Sequence, residues 1–287
     1  MQESKSQSPT LSIIIISTSL KRLIANMPSV FNSVKSISHQ VILVCQGYEL
    51  DVALIPNFNR CTALIYKNNL GISEARNKGS NVAKGKYVSF LDDDIKTDLD
   101  YFNNALFILE NNDKYIGVIG KISVEGNPNS SLFKKFKREA KESLNNFYLW
   151  RLSNGNTILY RGTDLRFDNR LGVGSRFGAF EDTDFLLRMS KFGKLCYSPK
   201  CIVYHPDMST EELVEFNRIT SYAKGLGACL SKNLSIGGFL FFVSSLLNNI
   251  VFAVFFARSY TDRKNHLAAF IYKIYAFFAW MRVDNKK

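Results

Sequence analysis

Three adjacent carboxylates, Asp92, Asp93 and Asp94, directly follow an apolar run at 86–91 (KYVSFL) that is typical of a buried strand. Negative charges crowded at the end of a strand repel one another unless a cation lies among them. Mg²⁺ and Mn²⁺ prefer carboxylate, phosphate and water oxygens, so a divalent ion that also binds a diphosphate would relieve the repulsion. The alternative is that these acids favour the start of a helix predicted near residue 99.

A second pattern lies just before the acidic strand, in residues 68–79 (NNLGISEARNKG). Gly71 followed by Ser73 predicts a turn that leads into a helix N-terminus, where backbone N–H groups face an anion. Arg76 and Lys78 lie early in that helix, and arginine is the better partner for a planar or anionic ligand. The alternative is an ordinary surface helix whose cations face solvent.

The C-terminal half supplies two further candidates. Glu181 and Asp182 follow a glycine-rich segment at 171–180 that would bring the backbone close to a ligand or move as a lid. This carboxylate pair either caps a helix or includes the general base that deprotonates an acceptor hydroxyl. His205 ends the apolar run at 202–204; it has either a structural role or, as neutral imidazole, a place in a metal shell.

The elements that must position these residues follow an alternating pattern. Apolar runs typical of strands are found at 11–16, 41–45, 62–66 and 86–91, with helix-length stretches at 73–83 and 99–111. Further strand patterns follow at 115–124, 156–160 and 202–204, with a helix at 181–192. This alternation predicts an α/β fold whose sheet is mostly parallel and lies between helices. In such sheets, ligands bind outside the carboxyl ends of the strands.

The C-terminal segment has a different character. Residues 237–256 form an apolar stretch of roughly the ~20 residues that cross a bilayer. Four polar residues interrupt it: Ser244, Ser245, Asn248 and Asn249. A shorter apolar stretch at 267–280 carries one lysine, and cations flank both stretches. We expect this segment to attach to a membrane, and a re-entrant or interfacial hairpin suits it as well as two spans.

Composition narrows the classes of partner. The 287 residues include 37 Lys+Arg and 25 Asp+Glu, a net charge of +12, which favours nucleic acid, phosphorylated substrates or anionic lipid. The basic stretch 134–141 suits an anionic acceptor or surface, or is simply a solvated helix face. The 5 cysteines form no CxxC pair, so neither a zinc site nor a disulfide framework is indicated. Because no apolar run precedes Leu11, we expect no secretory signal and a cytoplasmic body.

Taken in order, the segments NNLGISEARNKG, GKYVSFLDDD, FEDTDFLLR and VYH resemble the motifs of the family 2 glycosyltransferases. The resemblance covers residues 11–206. It implies the GT-A nucleotide-diphospho-sugar transferase fold, with a mixed, mostly parallel sheet, and inverting transfer from a nucleotide-activated sugar. It also implies a bound divalent cation, Mn²⁺ or Mg²⁺, as cofactor.

The resemblance assigns catalytic and metal-binding roles motif by motif. It implies that Asp182 is the catalytic base, with Glu181 beside it at the acceptor end. It implies that Asp94, the last acid of the triplet, is the principal metal ligand. His205 is then expected to help hold the metal or the diphosphate.

The resemblance also implies a nucleotide-sugar site. The residues implied to border the nucleotide, its ribose or its diphosphate are Ser17, Arg22, Arg76, Asn77, Asp92 and Asp93. The chain departs from the family pattern at 17–20 (STSL), where the family often has a Pro-Thr/Ser-Tyr/Phe-Asn turn. It departs again at Gln46, where the family commonly has an aspartate that contacts the base. Glutamine can still donate to and accept from a base edge, and uridine is the default expectation.

The resulting domain prediction has three parts. Residues 1–10 are expected to be a disordered lead-in and residues 233–287 to be membrane-associated helices. Residues 11–232 are expected to form the glycosyltransferase domain, with a nucleotide-binding half at 11–112 and an acceptor half at 113–232. The expected location is the cytoplasmic face of the cell membrane, attached through the C-terminal segment.

The predicted function is inverting sugar transfer to a saccharide or lipid-linked acceptor, in surface polysaccharide or glycolipid assembly. The alternative is a catalytically silent, membrane-associated protein that binds sugar nucleotides or glycans. Nucleotidyltransferases and dinucleotide dehydrogenases need a glycine-rich loop after the first strand, and residues 17–22 contain no glycine. Nucleic acid is not expected as a partner, because no binding motif is present and the clustered acids oppose it.

Overall fold

The computed structural model describes residues 8–127, 130, 144, 146–153, 155–206 and 216–284. Within these residues, eight strands form a mixed sheet in the order β3–β2–β1–β4–β7–β6–β8–β5. The strands are β1 (Leu11–Ser17), β2 (His39–Gln46), β3 (Cys61–Tyr66), β4 (Tyr87–Asp92), β5 (Lys96–Thr97), β6 (Tyr115–Val124), β7 (Ile158–Arg161) and β8 (Lys194–His205). The predicted α/β class with a mixed sheet is confirmed.

The α-helices of the described residues flank this sheet and extend beyond it at the C-terminal end. They are α1 (Leu20–Ser33), α2 (Ile72–Ser80), α3 (Tyr101–Glu110), α4 (Asn146–Leu152), α5 (Glu181–Met189), α6 (Phe216–Lys232), α7 (Ile236–Val251) and α8 (Tyr260–Asp284). A π-helical turn, Phe252–Phe256, follows α7. Residues 1–7 of the predicted lead-in (1–10) and the basic stretch at 134–141 lie outside the described residues.

The N-terminal half of the sheet brings several loops to one edge. β3, β2, β1 and β4 are parallel neighbours, so their carboxyl ends reach the same edge. The register places Ile16 opposite Asp92 and Ser17 opposite Cys45. The loops that follow β1, β2 and β4 therefore meet there, which is where ligands bind in sheets of this kind.

The strands at the centre are covered on both faces, as their continuous apolar runs predict. Alternate residues of β1 enter different cores: Ile13 and Ile15 pack with residues of α1 and α3, whereas Ile14 and Ile16 pack on the opposite face. All four are nearly inaccessible to solvent. Burial of each such side chain contributes about 1.5–3 kcal/mol, so this strand is a rigid support for the loop that follows it.

Two predicted boundaries were wrong. β8 begins at Lys194 rather than near residue 202, because residues 194–197 pair with β6 before an irregularity that ends at Ile202. The polar and proline-containing residues 198–200 hid this continuity in the sequence. The helix predicted to end at residue 192 ends at Met189, and Phe192 is exposed rather than packed on that helix.

The three C-terminal helices pack against one another and on the body. α6 and α8 approach so closely that a Cβ on Gly227 would lie 2.0 Å from the carbonyl oxygen of Lys273. At the far end of α8, Trp280 is buried against Phe177 of the body. Within the described residues, the segment Ile236–Phe256 is the one helical stretch long and apolar enough to cross a membrane, and 17% of it is buried.

Candidate active site

A cavity of about 780 Å³ lies at the carboxyl edge of the parallel strands. All of the predicted site residues except Ser17 and Asn77 line it. The lining residues from that prediction are Arg22, Gln46, Arg76, Asp92, Asp93, Asp94, Glu181, Asp182 and His205. The sheet and its loops therefore bring together residues that lie up to 183 positions apart, from residue 22 to residue 205.

Asp93 lies in the wall of the cavity, and its carboxylate oxygens are bound by the β1–α1 turn. Its Oδ2 accepts from the Ser17 hydroxyl at 3.0 Å and from the backbone N–H groups of Thr18 and Ser19 at 2.8 and 2.9 Å. Its Oδ1 accepts from Arg22 Nε at 2.7 Å, and the residue is 4% exposed. These four donors, one of them the cationic Arg22, stabilise the negative charge of Asp93 without a metal ion. The carboxylate is arranged to hold the turn, and Ser17 takes part in the same arrangement.

Asp92 lies between a neutral and a cationic partner. Its Oδ2 accepts from Asn156 Nδ2 at 2.8 Å, while Asn156 Oδ1 accepts from the Asp92 backbone N–H at 2.8 Å. Its Oδ1 lies 3.6 Å from Arg76. Sequence reasoning missed Asn156, because a single asparagine before a short strand carries no motif. Only the pairing of β7 with β4 brings it to this edge.

Asp94 and His205 face each other across the cavity. His205 Nε2 lies 3.7 Å from Asp94 Oδ2, and both side chains are partly exposed. The other ring nitrogen, Nδ1, is 2.9 Å from the Pro206 carbonyl oxygen, which accepts a hydrogen bond if Nδ1 carries the proton. That tautomer leaves the Nε2 lone pair directed at the cavity, as a metal-binding imidazole requires.

The pair can therefore supply one carboxylate oxygen and one imidazole nitrogen to a divalent cation. Within the described residues no group of three or more His, Cys, Asp and Glu side chains is placed to hold a metal. Mg²⁺ is often bound by one or two protein groups together with substrate phosphates and water, so a two-residue set fits a cation that arrives with a diphosphate.

Arg76 is the cation at the centre of the site. It is 2% exposed, which shows that the surface-helix alternative is wrong for this residue. Its guanidinium lies 2.6 Å from Asp182 Oδ1 and 3.3 Å from Glu181 Oε1, and it covers the ring of Phe167. Although burial opposes its charge, the surrounding carboxylates raise the pKa of Arg76 above its ordinary value. A single buried cation thus holds carboxylates from both halves of the fold.

Glu181 holds its proton more tightly than an ordinary glutamate does. Burial, followed by the charge of Asp182, raises the pKa of Glu181 to about 8, although Arg76 acts in the opposite direction. At neutral pH this carboxyl therefore retains its proton for most of the time. Protonation of Glu181 limits the negative charge around Arg76.

The glycine-rich segment and the start of α2 pack on each other. The backbone N–H of Ile72 donates to the Val173 carbonyl at 3.1 Å, and the Ser73 hydroxyl donates to the Leu171 carbonyl at 2.6 Å. Gly71 has φ +85° and lies so near Val173 that a Cβ would be 3.2 Å from its carbonyl oxygen. The first N–H donor of the anion site predicted at the N-terminus of α2 is therefore bound by this loop.

Asn77 also holds a loop. Its side chain accepts from the Phe167 backbone N–H at 2.8 Å and donates to the Phe167 carbonyl at 3.0 Å. Phe167 is the ring beneath Arg76, so Asn77 acts on the site through that ring. Asn77 does not line the cavity, and its predicted contact with the nucleotide finds no support in this arrangement.

A second cavity, of about 270 Å³, adjoins the first. Glu181, Asp182 and Tyr222 line both cavities, so Asp182 stands where the two meet. The other polar and aromatic lining residues include Lys121, Trp150, Arg151 and Tyr197. The geometry provides a larger cavity that contains most of the charged side chains, a smaller cavity beside it, and a carboxylate at their junction. Such an arrangement can hold two substrates on either side of a general base.

Comparison with known proteins identifies solved structures with a similar fold. The structure is similar to that of S. aureus TarS, with a TM-score of 0.62 and 14% identity over 92% of this chain and 49% of TarS. The chain thus spans about half the length of TarS. It is also similar to TarS 1–349 in complex with UDP-GlcNAc, with a TM-score of 0.59 and 17% identity over 92% of this chain and 81% of that one.

TarS 1–349 in complex with UDP gives a TM-score of 0.57 and 13% identity over 97% of this chain and 92% of that one. At these identities the likeness shows the fold alone. A search of curated proteins gave no match. A model of the family described as Glycosyl transferase family 2 matches residues 18–170, which is more than half of the 287 residues. The chain therefore belongs to glycosyl transferase family 2.

Proposed function

We propose that the protein transfers a sugar from a nucleotide-diphospho-sugar to an acceptor hydroxyl, with inversion at the anomeric carbon. The observation that carries the proposal is the position of Asp182 at the junction of the two cavities. The larger cavity is of a size and polarity that suit a nucleotide-sugar, and the smaller one suits part of a saccharide. Because a UDP-sugar is bound in the TarS 1–349 structure, UDP-sugars are the first donors to test.

In the proposed reaction Asp182 accepts the proton of the acceptor hydroxyl. The acceptor oxygen forms a bond to the anomeric carbon from the face opposite the leaving group. The bond between that carbon and the diphosphate oxygen breaks, and its electron pair leaves with the nucleoside diphosphate. A single displacement of this kind inverts the configuration, and a positioned base contributes about 10²–10⁴-fold to the rate.

The residues at the donor end have separate tasks. Gln46 accepts a hydrogen bond from the Leu70 backbone N–H, which fixes its amide at the end of β2 where a base would lie. Asp94 and His205 would hold the divalent cation. When bound, such a cation stabilises the negative charge that develops on the departing diphosphate. Asp93 and Ser17 support the β1–α1 turn beneath the donor.

The acceptor is proposed to be a saccharide that carries negative charge or is linked to a lipid. Lys121 and Arg151 line the smaller cavity, and Trp150 and Tyr222 give it aromatic walls. Cations suit an anionic group, and aromatic side chains suit the apolar parts of a sugar or its carrier. This chemistry is the basis for placing the reaction in surface polysaccharide or glycolipid assembly.

Residues 11–232 are proposed to form the transferase domain and residues 233–287 to attach it to the cytoplasmic face of the membrane. The support for attachment is the apolar segment Ile236–Phe256, most of which is exposed. A silent binding protein would not need a carboxylate between two cavities, so the catalytic proposal is preferred to that alternative.

The test is an assay of nucleoside diphosphate release from a panel of UDP-, GDP- and TDP-sugars, with Mn²⁺ or Mg²⁺ and lipid-linked or free saccharide acceptors. We expect release with at least one donor, and an NMR spectrum of the product that shows the inverted anomer. Asp100→Asn, which changes an exposed carboxylate outside both cavities, is the control and should retain full activity. Tight donor binding without release for every donor would contradict the proposal.

A further inference from the structure

Two polar residues of α7, Ser245 and Asn249, face a lysine of α8, whereas Ser244 and Asn248 are exposed. Lys273 of α8 is 8% exposed, and its Nζ donates to the Ser245 hydroxyl at 2.7 Å and to the Ser245 carbonyl at 3.2 Å. It also donates to Asn249 Oδ1. Ser245 and Asn249 are two of the polar residues that interrupt the apolar stretch in the sequence. These two residues therefore accept hydrogen bonds from a lysine of α8 and lie between the two helices.

The outer side of α7 and the π turn presents an apolar stripe. Its members are exposed and recur at intervals of three, four and seven residues, which places them on one helical face. They are Ile236, Leu240, Leu247, Val251 and Val254. Phe255 extends the stripe and is 76% exposed. The exposed Ser244 interrupts the stripe between Leu240 and Leu247. Soluble monomers rarely expose this many large apolar side chains on one helical face, so the stripe still indicates an interaction site.

The inner side of α7 is fixed to the body of the protein. Phe241 stacks on Trp150 with the ring centroids 5.9 Å apart, and Phe242 is buried in the core. A Cβ on Gly238 would lie 2.9 Å from Trp150 Nε1 and 3.0 Å from Leu230. A helix that crossed a bilayer would be separated from these partners. These contacts therefore favour a helix with only one face in lipid.

The charges near the stripe indicate what covers it. Arg258, Arg263 and Lys264 follow the π turn and are exposed, in a chain whose net charge is +12. Cations beside an apolar helix face match anionic headgroups, at about 1 kcal/mol for each residue near the surface. A second copy of the chain seated on this face would bring like charges together. The charge pattern therefore favours a lipid leaflet as the occupant.

We propose that α7 and its π turn lie in the plane of one anionic leaflet, with the apolar stripe at the boundary of headgroups and acyl chains. The inference rests on the proposed membrane attachment and specifies its geometry: the helix does not span. Because Trp150 both lines the smaller cavity and stacks on α7, this geometry holds the acceptor cavity next to the membrane surface.

The test is flotation of the full chain with phosphatidylcholine vesicles and with vesicles that also contain phosphatidylglycerol. We expect stronger binding to the anionic vesicles, a loss of binding at high salt, and complete release by alkaline carbonate. The double substitution Leu247→Ser and Val254→Ser should weaken binding by about tenfold or more, since each removes an exposed side chain from lipid contact. Phe192→Ser, at an apolar residue of the body that is 67% exposed, is the matched control and should bind as the unmodified chain does.

Three results would overturn the inference. Resistance to carbonate extraction would indicate a spanning helix. Sedimentation as a dimer that the double substitution converts to a monomer, without flotation, would indicate a second copy as the occupant. Equal flotation of the double variant and the unmodified chain would show that another surface binds lipid. Nucleoside diphosphate release is measured separately, so none of these results bears on the sugar-transfer proposal.

Discussion

Two buried cations of this protein are stabilised in different ways. Arg76, in the cavity, contacts the carboxyl groups of Asp92, Glu181 and Asp182. Among the described residues, Lys273, which lies between α7 and α8, donates only to neutral oxygen atoms. The first arrangement surrounds one positive charge with acids that the proposed reaction needs in fixed positions. The second satisfies polar groups in the middle of an apolar helix pair.

This difference shows that the two cations have different stabilising roles. Around Arg76 the difficulty is an excess of negative charge, and the arginine links acids from both halves of the fold. Around Lys273 the difficulty is that the oxygen atoms of Ser245 and Asn249 need hydrogen-bond donors inside an apolar helix pair. The lysine supplies these donors without forming an ion pair. Removal of the charge should therefore affect catalysis and stability in the first region, and stability alone, to a small extent, in the second.

Arg76→Leu should have the largest effect. Loss of the guanidinium leaves buried carboxylates without a counter-charge, which costs about 3–5 kcal/mol when one partner of a buried pair is removed. We expect a marked fall in the free energy of unfolding in urea and a loss of transfer activity. Arg76→Lys should recover part of the stability and little of the activity, because the compact ammonium group of lysine lacks the planar, forked set of donors with which arginine meets the surrounding carboxylates. An unfolding free energy equal to that of the unmodified protein would contradict the comparison.

Asp94→Ala and Asp93→Ala should differ, although the two residues are adjacent. Asp94 and His205 are proposed to hold a cation, so Asp94→Ala should abolish the Mn²⁺-dependent part of nucleotide binding, measured by calorimetry, with little change in stability. Asp93→Ala removes the acceptor of four hydrogen bonds and should lower stability by about 1–3 kcal/mol. Similar unfolding curves together with similar metal dependence would show that this division of roles is wrong.

The proton on Glu181 should make the stability of the Arg76 region depend on pH. The pKa is raised from its ordinary value of 4.5 to about 8 in the folded protein, so the folded state binds more protons than the unfolded state between these values. Stability should therefore be greatest below pH 4.5 with respect to this group and fall as the pH rises towards 8, by up to about 1.4 kcal/mol per pH unit. Glu181→Gln should remove this slope in unfolding experiments across the range. The same slope in the variant would assign it to another group.

Lys273→Met should have the smallest effect. Its volume is similar, and it removes a buried charge whose partners are neutral, so we expect a change in the free energy of unfolding of no more than about 1–2 kcal/mol and unaltered transfer. Urea unfolding and the diphosphate-release assay measure both. A loss as large as that of Arg76→Leu would show that the two cations are not distinguished by their partners.

Much of the fold could be predicted from the sequence, because the central strands are continuous apolar runs separated by helix-length segments. The residues of the cavity could be predicted because short motifs follow those strands. The sequence could not separate the tasks of Asp92, Asp93 and Asp94, since only the position of the β1–α1 turn directs Asp93 away from its neighbours. Asn156 reaches the site through strand pairing alone, and no local pattern marks it.

The C-terminal helices show a second limit of the sequence. The apolar stretch and its polar interruptions were evident, but the partner of those interruptions, Lys273, lies 28 positions beyond Ser245. No periodicity connects the two. The close approach of α6 to α8 at Gly227 could not be predicted either, because a glycine inside a helix does not indicate which element packs against it.

The most direct test of the account is the kinetic behaviour of Asp182→Asn at saturating donor, with donor affinity measured on the same protein. Asp182 stands between the two cavities and is proposed to act as the base, so kcat should fall by about 10²–10⁴-fold while the donor Kd changes little. Asp100→Asn should leave both unchanged. A variant of Asp182 that retains most of the transfer rate would show that this carboxylate is not the base and that the two cavities do not divide donor from acceptor as proposed.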